Sequence, residues 1–458
     1  MLTLDQAADI FAKIRKHSTA DEVEALFYGG KSALTRFANN TIHQNVAEEH
    51  YSVSVRTVFG GRTARASTNK LDPGSLKRVV QLSEALARVQ HPDPELLPMY
   101  DGHATGGEIP ARYFAETASA TPDQRAQGAG KMVGVAKRHG LTAAGICATA
   151  ESIEGIFNSS GVACWHSQSS SDISVTMLGE DSSGWQKANS PNFAALEPLS
   201  LAETAARKAL VAAHPREIPP GKYTVILEPA AVLDITGFMF YDFGGMAILD
   251  QRSFLNNRVG QKIFGDNLDV WDDVAHPLQS GAPFDGEGVP RQRIQLVEKG
   301  VVKRLVYARA TAARMSQSEY KDTVGLIAPT GHGFPLPNEM GEAPLNIVFG
   351  EPSGPKTVEQ MIASTERGVL VTRLWYIREV DPYEKILTGM TRDGTFYVEN
   401  GKIKHGVLNF RFNESLLHML SNIVEMSTPV RSSGEESFDM VAPAMKVREF
   451  NFTEVTKF

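Results

Sequence analysis

The stretch Tyr51-Ser52-Val53-Ser54-Val55-Arg56-Thr57-Val58-Phe59-Gly60-Gly61, with Leu71-Asp72-Pro73-Gly74-Ser75-Leu76 shortly after it, decides the fold class. Tyr51, Val53, Val55, Thr57 and Phe59 alternate with smaller or polar residues, the period-two signature of a strand with one buried face. Gly60-Gly61 is a two-residue hairpin turn, since only glycine enters the required left-handed backbone freely. Asp72-Pro73 is an N-cap followed by a first-turn proline. The helix it opens places Leu76, Val79, Val80, Leu86 and Val89 on one side.

Upstream, Thr3-x-x-Gln6 is a capping box and Ala7, Ile10, Phe11 and Ile14 form an apolar helix face. Strand-like runs follow at Ala25–Tyr28 and Ala33–Phe37, with Asn39-Asn40 as a turn. The segment His91–Arg112, rich in Pro, Gly, Asp and His, has no periodicity and reads as a linker or long loop. The same order then recurs. Thr121-Pro122 with Gln124 starts a helix ending at Gly140, and strand-like runs lie at Gly145–Ala150 and Gly155–Asn158. Ile173, Val175 and Met177 alternate, and Leu196-Glu197-Pro198-Leu199-Ser200-Leu201 echoes Leu71–Leu76. The order and the echo point to two related α/β halves, about 1–90 and 115–213, within an N-terminal domain of 1–214. His214-Pro215 and Pro219-Pro220-Gly221 mark a boundary. From 221 to 458 the pattern is mostly strands, including a hairpin at Asn400-Gly401, with helices capped at Thr357 and Asn413. The fold class expected is α+β: a mixed α/β domain, then a β-dominated one.

Bulk composition narrows the function. The chain of 458 residues carries a net charge of −7, and its pI is about 6.0. No Lys/Arg block supplies the basic face that nucleic-acid binding needs. No apolar run is long enough to span a bilayer, and the start at Met1-Leu2-Thr3-Leu4-Asp5 lacks the features of a secretory signal. With Cys147 and Cys164 as the only cysteines, the expectation is a cytoplasmic chain with reduced thiols.

Motifs for chemistry are sparse. No two of the twelve histidines sit at the three- or four-residue spacing that places both on one helical face, and His-Glu-x-x-His, Cys-x-x-Cys, phosphate-loop and Gly-x-Ser-x-Gly patterns do not occur. Cys164 and His166 make half a metal site at best. Asp266, Asp269, Asp272 and Asp273 cluster ahead of Asp285-Gly286-Glu287-Gly288. Such carboxylates hold a hard cation, act as acid and base, contact a substrate, or simply form turns.

Several islands together resemble the TldD/PmbA family, also called the modulator-of-DNA-gyrase family. They are Arg36–Ile42, Ser253–Phe264 leading to Val270-Trp271-Asp272-Asp273, Phe284–Pro290, Val371–Arg378, and Leu387–Phe396. The resemblance implies a barrel-like C-terminal domain and, in catalytic TldD-type members, a His-Glu-x-x-x-His zinc helix after the strand corresponding to Val225–Leu227. Here Gly237, Phe238 and Asp242 stand at the first His, the Glu and the second His. No histidine lies between His214 and His276, and no cysteine lies late in the chain. This departure matches the PmbA/TldE-type branch. It implies no catalytic residue and no metal in this chain, and a zinc-bearing TldD-type partner in a heterodimeric cytosolic peptidase that cleaves unstructured peptides. Asp272, Asp273, Asp285 and Glu287 are candidate substrate-binding residues. The alternatives are a stand-alone homodimeric peptide-binding protein without protease activity, and a hydrolase with a metal among those four carboxylates.

Overall fold

Strand β1 (Glu22–Ala38) runs unbroken through Gly29-Gly30, and β4 (Thr142–Asn158) runs through Gly155 in the same way. The sequence pattern split each into two runs. In β1 the glycines interrupt the apolar alternation but not the strand, because neighbouring backbone comes so close there that a side chain has no room; in β4 the gap between the runs is Glu151–Glu154, which pairs with β1 and β5 throughout. A Cβ on Gly30 would collide with the Glu151 carbonyl. With β2 (Thr41–Phe59), β3 (Arg62–Thr68), β5 (Ala163–Leu178) and β6 (Ser183–Ser190) they form one antiparallel sheet in the order β3-β2-β1-β4-β5-β6. The computed structural model describes residues 1–102 and 109–456. Residues 103–108 of the expected His91–Arg112 loop therefore lie outside the described residues.

Each half of this sheet carries two helices, α1 (Leu4–His17) and α2 (Pro73–Val89) on the first, α3 (Pro122–Arg138) and α4 (Pro198–Val211) on the second. The capping boxes at Thr3/Gln6 and Thr121/Gln124 form as the sequence indicates. All four helices cover one sheet face. Ile10, Phe11 and Ile14 of α1 and Leu76, Val79 and Val80 of α2 pack on Val23, Ala25, Phe27, Val53 and Val55. Ala129, Met132 and Ala136 of α3 and Ala202, Ala205 and Ala209 of α4 pack on Cys147, Ile173 and Val175. Leu86 and Val89, expected on the buried side of α2, are exposed. The opposite sheet face is covered only in part, where Leu26 and Ile156 meet Phe284.

Beyond residue 220, β7 (Gly221–Leu227), β8 (Arg367–Asp381), β9 (Ile386–Glu399), β10 (Phe410–Ser415) and β11 (Met445–Val455) close into a five-stranded barrel. The ring runs β8-β7-β11-β10-β9 and returns to β8, so no barrel edge is left open. Phe410, Phe412, Phe450 and Phe452 fill it. Short strands such as Val270–Asp272 and Ile347–Phe349 form a second, six-stranded sheet beside it. The helix expected from Asn413 starts later. Asn413 pairs in β10, Ser415 caps the helix Leu416–Ser421, and Val424 lies in a strand. No helix among the described residues is long and apolar enough to cross a membrane.

Candidate functional site

Helix α5 (Pro229–Thr236) leaves β7 with a proline in its first turn and tightens at Gly237 into a 3-10 helix, Gly237–Phe243. The tightening follows composition: glycine costs helix stability, and the aromatic run Phe238-Met239-Phe240-Tyr241 is a poor helix former. Met239, Phe240 and Phe243 turn into the core, while Phe238 is half-buried and Tyr241 exposed. Gly237, Phe238, Tyr241 and Asp242 thereby line one side of an open cleft of about 720 Å³. Arg252, Glu379, Lys385 and Glu436–Phe438 line the rest.

Lys385 dominates the charge of this cleft. Its buried ammonium lies 2.7 Å from Asp242 and 2.5 Å from Glu379. Asp242 also accepts the Phe254 backbone N–H at 3.2 Å. Burial pushes the Asp242 carboxyl above its ordinary range, and the Lys385 ammonium pulls the other way. Nothing adjacent in sequence announced Lys385 or Glu379. Their approach depends on the β8–β9 turn, where Lys385 takes a left-handed conformation.

The loop after Ser432 closes the cleft from above. Asp234 of α5 accepts the backbone N–H groups of Glu435 and Glu436, both at 3.0 Å. Burial raises the Asp234 carboxyl to about 6, against those donors. Glu436 in turn accepts the N–H groups of Tyr376 at 2.8 Å and Ile377 at 3.2 Å. Ser437 packs directly on Gly237, so that a Cβ at 237 would collide with it.

Zinc does not fit these residues. A zinc site needs three or four N, S or O donors converging on one point. Gly237 has no side chain, Phe238 has no donor, and Asp242 is already neutralised by an ammonium. No group of three His, Cys, Asp or Glu among the described residues has metal-holding geometry.

The four carboxylates named as peptide-binding candidates do not line this cleft. Asp272 is fully buried, 3.0 Å from His332, and accepts the Asn346 N–H at 2.8 Å. His332 Nδ1 lies 2.9 Å from Thr330 Oγ1, so the three form a sealed chain. Asp273 pairs with Arg293 at 3.1 Å. Asp285 accepts N–H groups from Glu287, Val289 and Gly333 at 2.8–2.9 Å, which makes it a turn clamp. Burial and the neighbouring Glu287 push its carboxyl up to about 7. Glu287 holds Arg309 at 3.5 Å. Asp272 at the end of a short strand, and Asp285 and Glu287 on a turn, all have partners inside the chain and are buried groups rather than an open peptide surface. Cys164 and His166 do share a strand face, but both are buried, and burial holds the thiol at about 12 and the imidazole at about 4.

Comparison with known proteins gives a coherent result over most of the chain. The PmbA/TldA metallopeptidase C-terminal domain matches residues 220–454, domain 1 matches 23–87 and the central domain matches 118–213. The metalloprotease PmbA of Escherichia coli O157:H7 is 22% identical over 410 residues, covering 86% of this chain and 85% of that protein. The metalloprotease PmbA homolog of Haemophilus influenzae is 21% identical over 392 residues, covering 83% and 81%. Among solved structures, TldE from Thermococcus kodakarensis superposes with a TM-score of 0.86 at 18% identity, over 98% of this chain and 100% of that one.

Proposed function

Since the chain belongs to the PmbA/TldD metallopeptidase family, we propose that it is a TldE-type, non-catalytic subunit of a peptidase whose zinc sits in a TldD-type partner. One observation carries this reading. At the position that corresponds to the second zinc-binding histidine, Asp242 is held by the Lys385 ammonium. A resident cation on a lysine stem satisfies the carboxylate there without a metal. An ammonium holds no labile water, so it cannot generate the hydroxide a metallopeptidase uses.

In this reading the substrates are unstructured peptides, the complex is a cytoplasmic heterodimer, and the chain contributes walls and interface to the chamber. The test begins with co-purification against a TldD-type protein, then peptide cleavage and zinc content for each chain alone and for the complex. Cleavage and stoichiometric zinc are expected in the complex and in the partner, with none in this chain alone. Metal-dependent cleavage by this chain alone would sink the proposal.

A further inference from the structure

Between Trp375 and Arg378 the pairing of β8 with β9 slips, so that Tyr376 and Ile377 lie opposite Gly389 alone. On its other side β8 is accompanied by β7 only from Gly368 to Val371. Two consecutive backbone N–H groups are thereby left without a strand partner. Tyr376 takes φ +55°, and a residue in the left-handed region turns successive N–H groups to one side, the concavity in which backbone nests hold anions.

A carboxylate of the chain itself stands there. Glu436 accepts the Tyr376 N–H with one oxygen at 2.8 Å and the Ile377 N–H with the other at 3.2 Å. Arg378 adds charge to the nest: its guanidinium lies 3.9 Å from Glu436 and 4.4 Å over the Tyr376 ring. No other carboxylate comes within 4 Å of it among the described residues. The other cations of the cleft are spoken for, Lys385 by Asp242 and Glu379, and Arg252 by Asp250 at 3.3 Å.

Glu436 is not what fixes its loop. Asp234 accepts the N–H groups of Glu435 and Glu436, Lys187 donates to the Gly434 carbonyl at 3.1 Å, and Asp439 pairs with Arg431 at 3.3 Å. With the backbone tied at these points, the Glu436 side chain can leave the nest by rotating about its own bonds. The nest it vacates lies at the rim of the open cleft, whose walls include Phe238, Tyr241, Pro382 and Phe438.

We infer that the Tyr376–Ile377 nest, with Arg378, is a receptor site for a peptide carboxylate, and that Glu436 occupies it as an internal stand-in. Paired backbone N–H groups are a recurrent means of capturing a peptide's C-terminal carboxylate. Exchange leaves the charge beside Arg378 unchanged, since one carboxylate replaces another and Glu436 turns to solvent. The aromatic walls of the cleft then take the neighbouring side chain of the peptide. Because peptide and Glu436 compete for the same donors, the observed affinity is the intrinsic affinity scaled by the fraction of time the nest stands vacant.

This inference rests on the peptide-handling reading for its ligand alone. Cleavage and zinc in the complex decide that reading, whereas binding to the full chain by itself decides this one. The probes are fluorescein-labelled Gly-Ala-Phe with a free C-terminal carboxylate, its C-terminal amide, and the amide of Gly-Asp-Phe, read by fluorescence anisotropy. Glu436→Ala is expected to tighten binding of the free acid by roughly tenfold or more, and to leave the amide of Gly-Ala-Phe weak and unchanged. A matching gain for the amide of Gly-Asp-Phe shows that side-chain carboxylates are accepted too; no gain there restricts the site to chain ends. Glu436→Gln, which keeps an acceptor oxygen and drops the charge, is expected to give a smaller gain in the same direction. Adding Arg378→Ala, a change at an exposed side chain, is expected to cancel most of the gain. Equal tightening of acid and amide overturns the inference, since Glu436 would then only be a strut that keeps the cleft closed. Acid binding that neither Glu436 substitution strengthens overturns it as well.

Discussion

At the residue scale the decisive contact is Asp242 with Lys385. Both are nearly sealed from solvent, and Lys385 also holds Glu379. Removing one partner of a buried pair strands the other charge, at a cost of about 3–5 kcal/mol. Lys385→Met is therefore expected to lower unfolding free energy in urea by about 3 kcal/mol. Asp242→Asn combined with Lys385→Met is expected to recover most of that loss. Equal losses in the single and double variants would show that the pairing itself contributes nothing. The same cleft resists re-engineering. Gly237→His with Phe238→Glu and Asp242→His is expected to bind no stoichiometric zinc, because Ser437 occupies the space beside Gly237 and Lys385 keeps its charge in place. Zinc content by atomic absorption after dialysis reads the result.

At the element scale, local signals were legible where partner groups lie within one turn. Thr121 caps α3 by accepting the Gln124 N–H at 3.3 Å, and the Gln124 side-chain oxygen accepts the Thr121 N–H at 2.8 Å. Thr121→Ala is expected to cost about 1 kcal/mol in thermal or urea unfolding. The runs Ala25–Tyr28 and Ala33–Phe37 read as two strands, and here local reading failed, since β1 is continuous between them. Gly29 and Gly30 have φ near +150°, and β4 and β2 lie directly against them. Gly30→Ala is expected to destabilise the chain by more than about 1 kcal/mol, and to raise amide exchange along β1 and β4 by hydrogen-exchange mass spectrometry. Protection unchanged from the parent would mean that the strand tolerates a Cβ. Similarly, Asn413 carried the composition of a cap, but pairing with β9 claimed it first.

At the scale of the whole molecule, the two domains are tied through Arg431. Its guanidinium reaches Asn189 of β6, the Leu278 carbonyl at 2.7 Å and Asp439 at 3.3 Å. Nearby, burial holds the Asp172 carboxyl up at about 6. Asp172, Asp234 and Asp285 all keep their protons to higher pH in the folded chain, up to about 6, 6 and 7, than the ordinary 3.8. The folded state therefore binds more protons than the unfolded state between 3.8 and about 7, and these groups lose their stabilising contribution as pH rises through that window. The expected outcome is a thermal midpoint that falls across it, with a shallower fall in Asp172→Asn. A slope unchanged by that substitution would remove Asp172 from the account.

The sequence by itself determined the elements whose signals close within a few residues, such as the helices capped at Thr3, Asp72 and Thr121 and the Gly60-Gly61 turn, because caps and turns depend only on near neighbours. It also showed, through Gly237, Phe238 and the absence of any histidine between His214 and His276, that the zinc motif of the resembling family is missing. Tertiary structure alone decided what stands there instead. Lys385 and Glu436 reach the cleft from the β8–β9 turn and a late loop, through barrel closure that no local pattern encodes. It also decided that Asp272, Asp285 and Glu287 are buried turn and core groups, since a carboxylate's role depends on what folds over it. The open edge of β2 is of the same kind. Thr41–His50 is written in the chain, but that no strand among the described residues pairs with its outer side is decided only once every other strand has found its place.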